Sequence, residues 1–410
     1  MPTWLFCSGN GAGFSQGAGQ TRWYALGGQF NLVGSRNPAQ ILIRDSYTAS
    51  KYAVMVTANG CTGVGGTNFG LRINAGWGVS VNVPALTTGY FEDTVTTDNL
   101  VNGDIVSHEV ATPAGGTSIT FTFLAVMLTT ALNTTPILVN GDPDSCIQNQ
   151  NVTLYYSIEG KCDGEAVEAD TQWTFRTTAT LSNLAVYIST NGITAASTFR
   201  TRVNGANGTQ LISIGAGLTG LFEDAVNTDA IAVGNTVSYQ LEAGAGGTTI
   251  RPTFMQVKSN SAGKQLGLGL ASGVSVPFGV TIYGPMGGDL GSYTAVEASV
   301  QLTVRTAFSA GHGFANVLNN TLDGATNIRI RVNGGYGNIN ISIGAGLSGI
   351  FEDLVNVDNF AVGNQIDWEL KTGGTAGTMG IGLLGLEEGV TAGVSSGASG
   401  SNAAAALLLL

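Results

Sequence analysis

Charge is what this chain has least of. Only 10 % of its 410 residues are Asp, Glu, Lys or Arg, against roughly 25 % in an ordinary soluble protein. With 16 basic residues and a net charge of -11, no basic stripe remains to neutralise phosphates, which excludes nucleic acid and anionic membrane as partners. Histidine is nearly absent. His108 falls where the other repeats have Tyr239 and Trp368 and is read as a flat side chain on a sheet face, and His312 is placed in a glycine-rich loop, Ala310 to Gly313. Neither has the Cys or His neighbours of a zinc site or the partners of a triad, so the chain is read as no enzyme. No apolar run approaches the ~20 residues of a membrane span. No stretch keeps a 3.6-residue apolar period for ten residues, so helices are not expected.

What is abundant is glycine, 61 residues, in a chain that is still 43 % hydrophobic. Such a chain folds, and its surface must be Thr, Ser, Asn and Gly. That is the makeup of extracellular or virion-surface β proteins. The start, Met1 to Cys7, has neither the basic residues nor the apolar run of a signal peptide. Four cysteines divide two and two: Cys7 and Cys61, then Cys146 and Cys162. The division points to one bridge per domain, with four separate buried thiols as the alternative. Asn-x-Ser/Thr triplets begin at Asn133, Asn151, Asn207, Asn319 and Asn340 and permit glycosylation.

One phrase recurs three times, about 130 residues apart: Gly89-Tyr90-Phe91-Glu92-Asp93, Gly220-Leu221-Phe222-Glu223-Asp224 and Gly349-Ile350-Phe351-Glu352-Asp353. Around it recur Arg44, Arg176 and Arg305, then Arg72, Arg202 and Arg331, then Asp98, Asp229 and Asp358. The period is far longer than a solenoid repeat, so each unit buries its own core. Within each unit short stretches alternate apolar and polar, as Val237, Tyr239 and Leu241 do. Asn204-Gly205 and Asn333-Gly334 suit type I′ hairpins. The expected fold is all-β: three tandem antiparallel β-sandwich (jelly-roll) domains over 21–130, 131–260 and 261–387. An N-terminal extension (1–20) and a low-complexity tail (388–410) flank them. Whether the three lie in a row or close into a ring is left open by the repeat.

Val233-Gly234-Asn235 with the strand to Leu241, then Gly246-Gly247-Thr248 and Thr253-Phe254, resembles the closing strands of tumour-necrosis-factor-like jelly rolls, including complement globular heads. That resemblance implies a ten-strand jelly roll that often trimerises and that also occurs in viral and phage fibres.

The repeated carboxylates admit two chemistries. Glu92, Asp93 and Asp98, with Glu223, Asp224, Asp229 and Glu352, Asp353, Asp358, could hold one calcium ion per repeat through oxygen ligands. Alternatively one carboxylate of each pair binds Arg72, Arg202 or Arg331 and the other caps a turn, which the scarcity of other charges favours. Gly215 to Gly220 and Gly344 to Gly349 match G-x-G-x-x-G, but no helix follows, so they are tight loops. Gly393-Val394-Ser395-Ser396-Gly397 matches a nucleophile elbow by chance. No cofactor is expected, calcium apart. The functional expectation is a structural subunit that self-assembles into a fibre or helical filament outside the cell or on a virion through its terminal segments and domain faces, with Trp4, Leu5, Phe6 and Phe14 buried in a neighbouring copy. The alternative is an adhesin module whose loops, near Phe69, Trp77 and Tyr336, hold carbohydrate or a receptor.

Overall fold

The computed structural model describes residues 3–27, 39–130, 137–141, 146–160, 162–261, 264–289 and 293–388. Among them there is no α-helix, and short 3-10 turns include Glu168–Asp170 and Glu297–Ser299. The chain is three tandem β-sandwiches. The first comprises β1 (Thr3–Gly17), β2 (Thr21–Tyr24), β3 (Ile41–Leu42), β4 (Tyr47–Cys61), β5 (Thr67–Ile73), β6 (Gly76–Val83), β7 (Gly89–Leu100), β8 (Ile105–Ala111) and β9 (Gly116–Thr129). The second comprises β10 (Ile137–Gly141), β11 (Gln148–Asn149), β12 (Thr153–Tyr156), β13 (Trp173–Thr174), β14 (Ala179–Ile193), β15 (Ser197–Val203), β16 (Ala206–Ile214), β17 (Gly220–Ile231), β18 (Thr236–Glu242) and β19 (Gly247–Ser259). The third comprises β20 (Lys264–Pro277), β21 (Thr281–Gly284), β22 (Gly288–Asp289), β23 (Leu302–Thr303), β24 (Phe308–Asn320), β25 (Thr326–Val332), β26 (Gly335–Ile343), β27 (Gly349–Phe360), β28 (Gln365–Lys371) and β29 (Thr378–Glu388).

Each sandwich has the same two antiparallel sheets. In the first they run β1-β9-β4-β7 and β2-β8-β5-β6, and strands β10-β19-β14-β17 and β12-β18-β15-β16 repeat the order in the second. This is jelly-roll connectivity, in which the chain passes repeatedly between the two facing sheets. The alternation seen in sequence is the reason: inward residues such as Val237, Tyr239 and Leu241 meet Phe199, Ile212 and Met255 in a closed core. Asn204 and Gly205 both take positive φ (52° and 73°), as do Asn333 and Gly334, which closes the β15–β16 and β25–β26 hairpins.

Two expectations need correction. Residues 3–17 are no extension: β1 pairs along β9 from Thr3↔Thr129 to Gly17↔Ser118 and so completes the first sandwich. Phe6 is buried at 3 % exposure, and Phe14 packs edge-on to Tyr24 at 5.7 Å within its own domain. An unpaired strand beside β9 would leave a row of unsatisfied backbone groups, and the first residues of the chain supply the partner. Trp4 and Leu5 belong to β1, but their side chains lie outside the described residues. At the other end Glu388 still belongs to β29, and the rest of the tail, Gly393 to Gly397 included, lies outside the described residues.

The cysteines of the first repeat are likewise not bridged. Cys146 and Cys162 form a disulfide, whereas Cys7 and Cys61 are separate buried thiols. Cys7 sits beside Ala125 and Cys61 beside Gly116, both on β9. At ~3.4 Å per residue these registers lie roughly 30 Å apart, far beyond disulfide reach.

Candidate functional site: three seams that close a ring

Glu92 and Asp93 are consecutive in β7, so their side chains leave opposite faces and cannot share an ion. The aspartates cap turns. Asp93 accepts from the N–H groups of Val95 and Thr96, both at 2.9 Å. Asp224 accepts from Val226, Asn227 and, at 2.9 Å, Leu211, and Asp353 repeats this with Val355, Asn356 and Asn340. Burial alone would raise these carboxyls, but the converging N–H donors outweigh it and hold all three below the usual range. Asp229 is tied to Thr201, Thr209 and Gln210, and Asp358 to the N–H groups of Asn338 and Ile339. Asp98, beside Ala49 in the β4–β7 pairing, occupies the matching place in the first repeat. Among the described residues no cluster of three or more Asp, Glu, His or Cys could hold a metal, so calcium loses its geometric basis.

The glutamates do something the sequence reading missed. Glu92, Glu223 and Glu352 do not pair with Arg72, Arg202 and Arg331. They reach into the preceding domain of the cycle, where Arg305, Arg44 and Arg176 grip them. Repeat 1 thus holds repeat 2, repeat 2 holds repeat 3, and repeat 3 returns to repeat 1. The three sandwiches close into a ring whose three seams carry equivalent ion pairs. The signal was present, since both sets recur with the repeat, but only the fold shows that each pair crosses a domain boundary.

Arg202 instead clasps Glu168 with two hydrogen bonds (3.1 and 2.9 Å), and Arg331 clasps Glu297 in the same way (3.0 and 3.3 Å) and meets Glu369 at 3.1 Å. Arg72 meets Glu109 at 3.2 Å. Here, within one domain, the bidentate geometry fastens a 3-10 turn to the sheet. Trp77 and Tyr336 are exposed at the hairpin tips under these arginines, Tyr336 lying 4.8 Å from the Arg331 guanidinium, while Phe69 is buried. The second repeat has Asn207 there, bonded to Arg202. Asn151, Asn207, Asn319 and Asn340 are exposed, and Asn133 lies outside the described residues.

At each seam the outer face of one sheet receives the short-strand edge of the preceding domain. Between repeats 1 and 2 the Gln256 amide brackets the Leu42 backbone, accepting from its N–H at 2.9 Å and donating to its carbonyl at 2.8 Å, and Lys258 meets Asp45 at 2.8 Å. Between repeats 2 and 3 Trp173 stands edge-on to Phe314 at 4.5 Å. A Cβ on Gly267 or Gly385 would come within 2.4 Å of its ring. Between repeats 3 and 1 Leu302 and Val304 share one core with Cys7, Phe123, Ala125 and Met127, and Lys51 donates to the Arg305 carbonyl at 2.6 Å. There β22 also pairs in parallel with both β20 and β1, joining two domains in one nine-stranded sheet.

The two histidines are absorbed structurally. His108 is fully buried against Tyr52, 3.0 Å from its hydroxyl, and burial pushes its pKa down to about 3. His312 lies not in a loop but in β24, at a bulge with φ 51°, and meets Glu387 at 2.8 Å. Glu387 also accepts from Thr177 across the seam. The G-x-G-x-x-G segments are inter-strand loops, held by Asn191 to the carbonyls of Gly215 and Leu218 and by Asn320 to those of Gly344 and Leu347. Asp367 is fully buried where the other repeats carry Ser107 and Ser238. Burial first, and Glu297 second, push its carboxyl up to about 8 against the pull of Arg331.

No protein-family model matches this chain, and no curated protein matches it.

Proposed function

We propose that the chain is a structural subunit, a ready-made three-lobed block that joins further copies of itself in an extracellular or virion-surface assembly. The observation that carries this reading is one valine seen three times. Val95, Val226 and Val355 sit two residues beyond the capping aspartate of their repeats, and each is 87 % exposed. A single exposed valine needs no explanation. The same valine at the same exposed bulge in three copies, beside a neighbour that varies as Thr94, Ala225 and Leu354, gives three equivalent apolar contact points on an otherwise neutral surface.

The tumour-necrosis-factor-like resemblance supports the reading, because that family builds function from threefold blocks. Joining through residues 1–20 is dropped, since β1 is committed to its own sandwich. Joining then runs through the domain faces alone. Light scattering and negative-stain electron microscopy over rising concentration test it. Wild-type protein is expected to assemble, and the triple variant Val95→Lys, Val226→Lys, Val355→Lys to remain a single 41.8 kDa particle. A wild type that stays monomeric at every concentration, or a triple variant that assembles equally well, would overturn the reading.

A further inference from the structure

The seam between repeats 3 and 1 carries an open cleft of about 510 Å³, a size within the ~300 to 1,000 Å³ of ligand sites, which favour domain boundaries. Val56, Thr57 and Thr122 of β4 and β9 form one side, with Thr88 from the loop before β7. The segment Tyr293 to Ser299 of repeat 3 forms the other. No charged side chain lines it. Its accessible groups are the hydroxyl-bearing residues Thr57, Thr88, Thr294 and Ser299, set among Val56, Val296 and the Tyr293 ring.

The chain provides its own control. Thr294 and Glu165 hold the same place in the third and second repeats, each bridging the tyrosine of a short strand, Tyr283 and Tyr155. Ser299 and Asp170 likewise close the two 3-10 turns. At the seam between repeats 2 and 3, then, the corresponding rim is acidic, and the Asn316 amide donates to the carbonyls of Ala169 and Asp170. Repeat 1 has Met55 in place of Asn316, packed into the core. Neutrality thus separates the seam between repeats 3 and 1 from the seam between repeats 2 and 3.

Three of the hydroxyls are already engaged, Thr57 with the Thr120 carbonyl, Thr294 with the Val296 N–H and Ser299 with the Val296 carbonyl, and keep lone pairs to accept from a ligand. A charged ligand would lose its hydration here and find no opposite charge, and a wholly apolar one would leave those lone pairs unanswered. What fits both strips is a ligand with apolar C–H faces and a rim of neutral hydroxyls. We infer that this cleft binds a short stretch of uncharged saccharide.

Titration calorimetry with maltose, cellobiose, lactose and chitobiose tests this, with sialyllactose as the charged comparison. At least one neutral disaccharide is expected to bind saturably below about 10 mM, and sialyllactose more weakly. The double variant Thr294→Glu, Ser299→Asp installs residues that the second repeat already tolerates. It is expected to weaken binding by about tenfold or more while its unfolding midpoint stays within about 2 °C. Absence of saturable heat with every neutral sugar, which would mean a cleft filled by water only, overturns the inference. So does unchanged affinity in the double variant, or a preference for sialyllactose.

Discussion

The seam between repeats 2 and 3 and the seam between repeats 3 and 1 share a frame and differ in filling. Both are pinned by an arginine reaching the glutamate of the next domain's Phe-Glu-Asp phrase, Arg176 to Glu352 in one and Arg305 to Glu92 in the other. Inside that frame the first buries one large ring, Trp173, over two glycines, Gly267 and Gly385. The second buries Leu302 in one core with Cys7 and Ala125. Large meets absent and medium meets small, so total volume is kept while each seam has its own shape. Three separate identical chains could not do this, because every seam would carry the same residues. The comparison teaches that the ion pairs repeat with the fold while packing gives each boundary its identity.

The largest blow to that difference is Trp173→Ala. With glycines on the facing sheet nothing can collapse into the void, so a loss of about 3 to 5 kcal/mol is expected in denaturant unfolding, against about 2 to 4 for Leu302→Ala. Equal losses would show that the two fillings are equivalent.

Asp367 sharpens the contrast between the third repeat and the others through pH. Below the ordinary carboxyl value of 3.8 both folded and unfolded chains hold its proton, and stability does not depend on it. From there to about 8 only the folded chain does. Each unit of rising pH then costs up to about 1.4 kcal/mol, and above that window the loss is complete. Asp367→Ser, which installs the residue of repeats 1 and 2, is expected to flatten this slope and to raise stability most at its alkaline end. A slope unchanged in the variant would refute the buried acid.

Smallest are the seam ion pairs, whose side chains remain about a fifth exposed. Arg44→Met, Arg176→Met and Arg305→Met should each cost about 1 kcal/mol, less in high salt, and about equally at the three seams. Markedly unequal losses would break the claim of a common frame.

Much of the fold was legible because its signals are local. The period-2 alternation of Val237, Tyr239 and Leu241 and the Asn-Gly turns arise from residues near one another in the chain, and the repeated Phe-Glu-Asp phrase set the unit length. The capping role of Asp93, Asp224 and Asp353 was among the readings weighed for the same reason, since the donors they bind follow within three residues. What escaped was non-local. Arg305 and Glu92 are both visible as repeated residues, yet nothing between them in sequence says that they meet. The opening residues looked unmatched because glycines at positions 9, 11, 13 and 17 interrupt their alternation. A backbone can pair where side chains give no pattern, and Gly9 is glycine because the Gly287 carbonyl lies 2.8 Å from where its Cβ would stand.

By itself the sequence determined three similar β units, their turns and their low charge, because strand alternation and turn chemistry are written in consecutive residues. Only the tertiary structure decided that the units form a ring rather than a row, that β1 closes its own sandwich, and that each seam is distinct. Those outcomes depend on which surfaces fit after folding, where a ring over a glycine or an arginine against a distant carboxylate is a matter of shape in three dimensions and leaves no local trace.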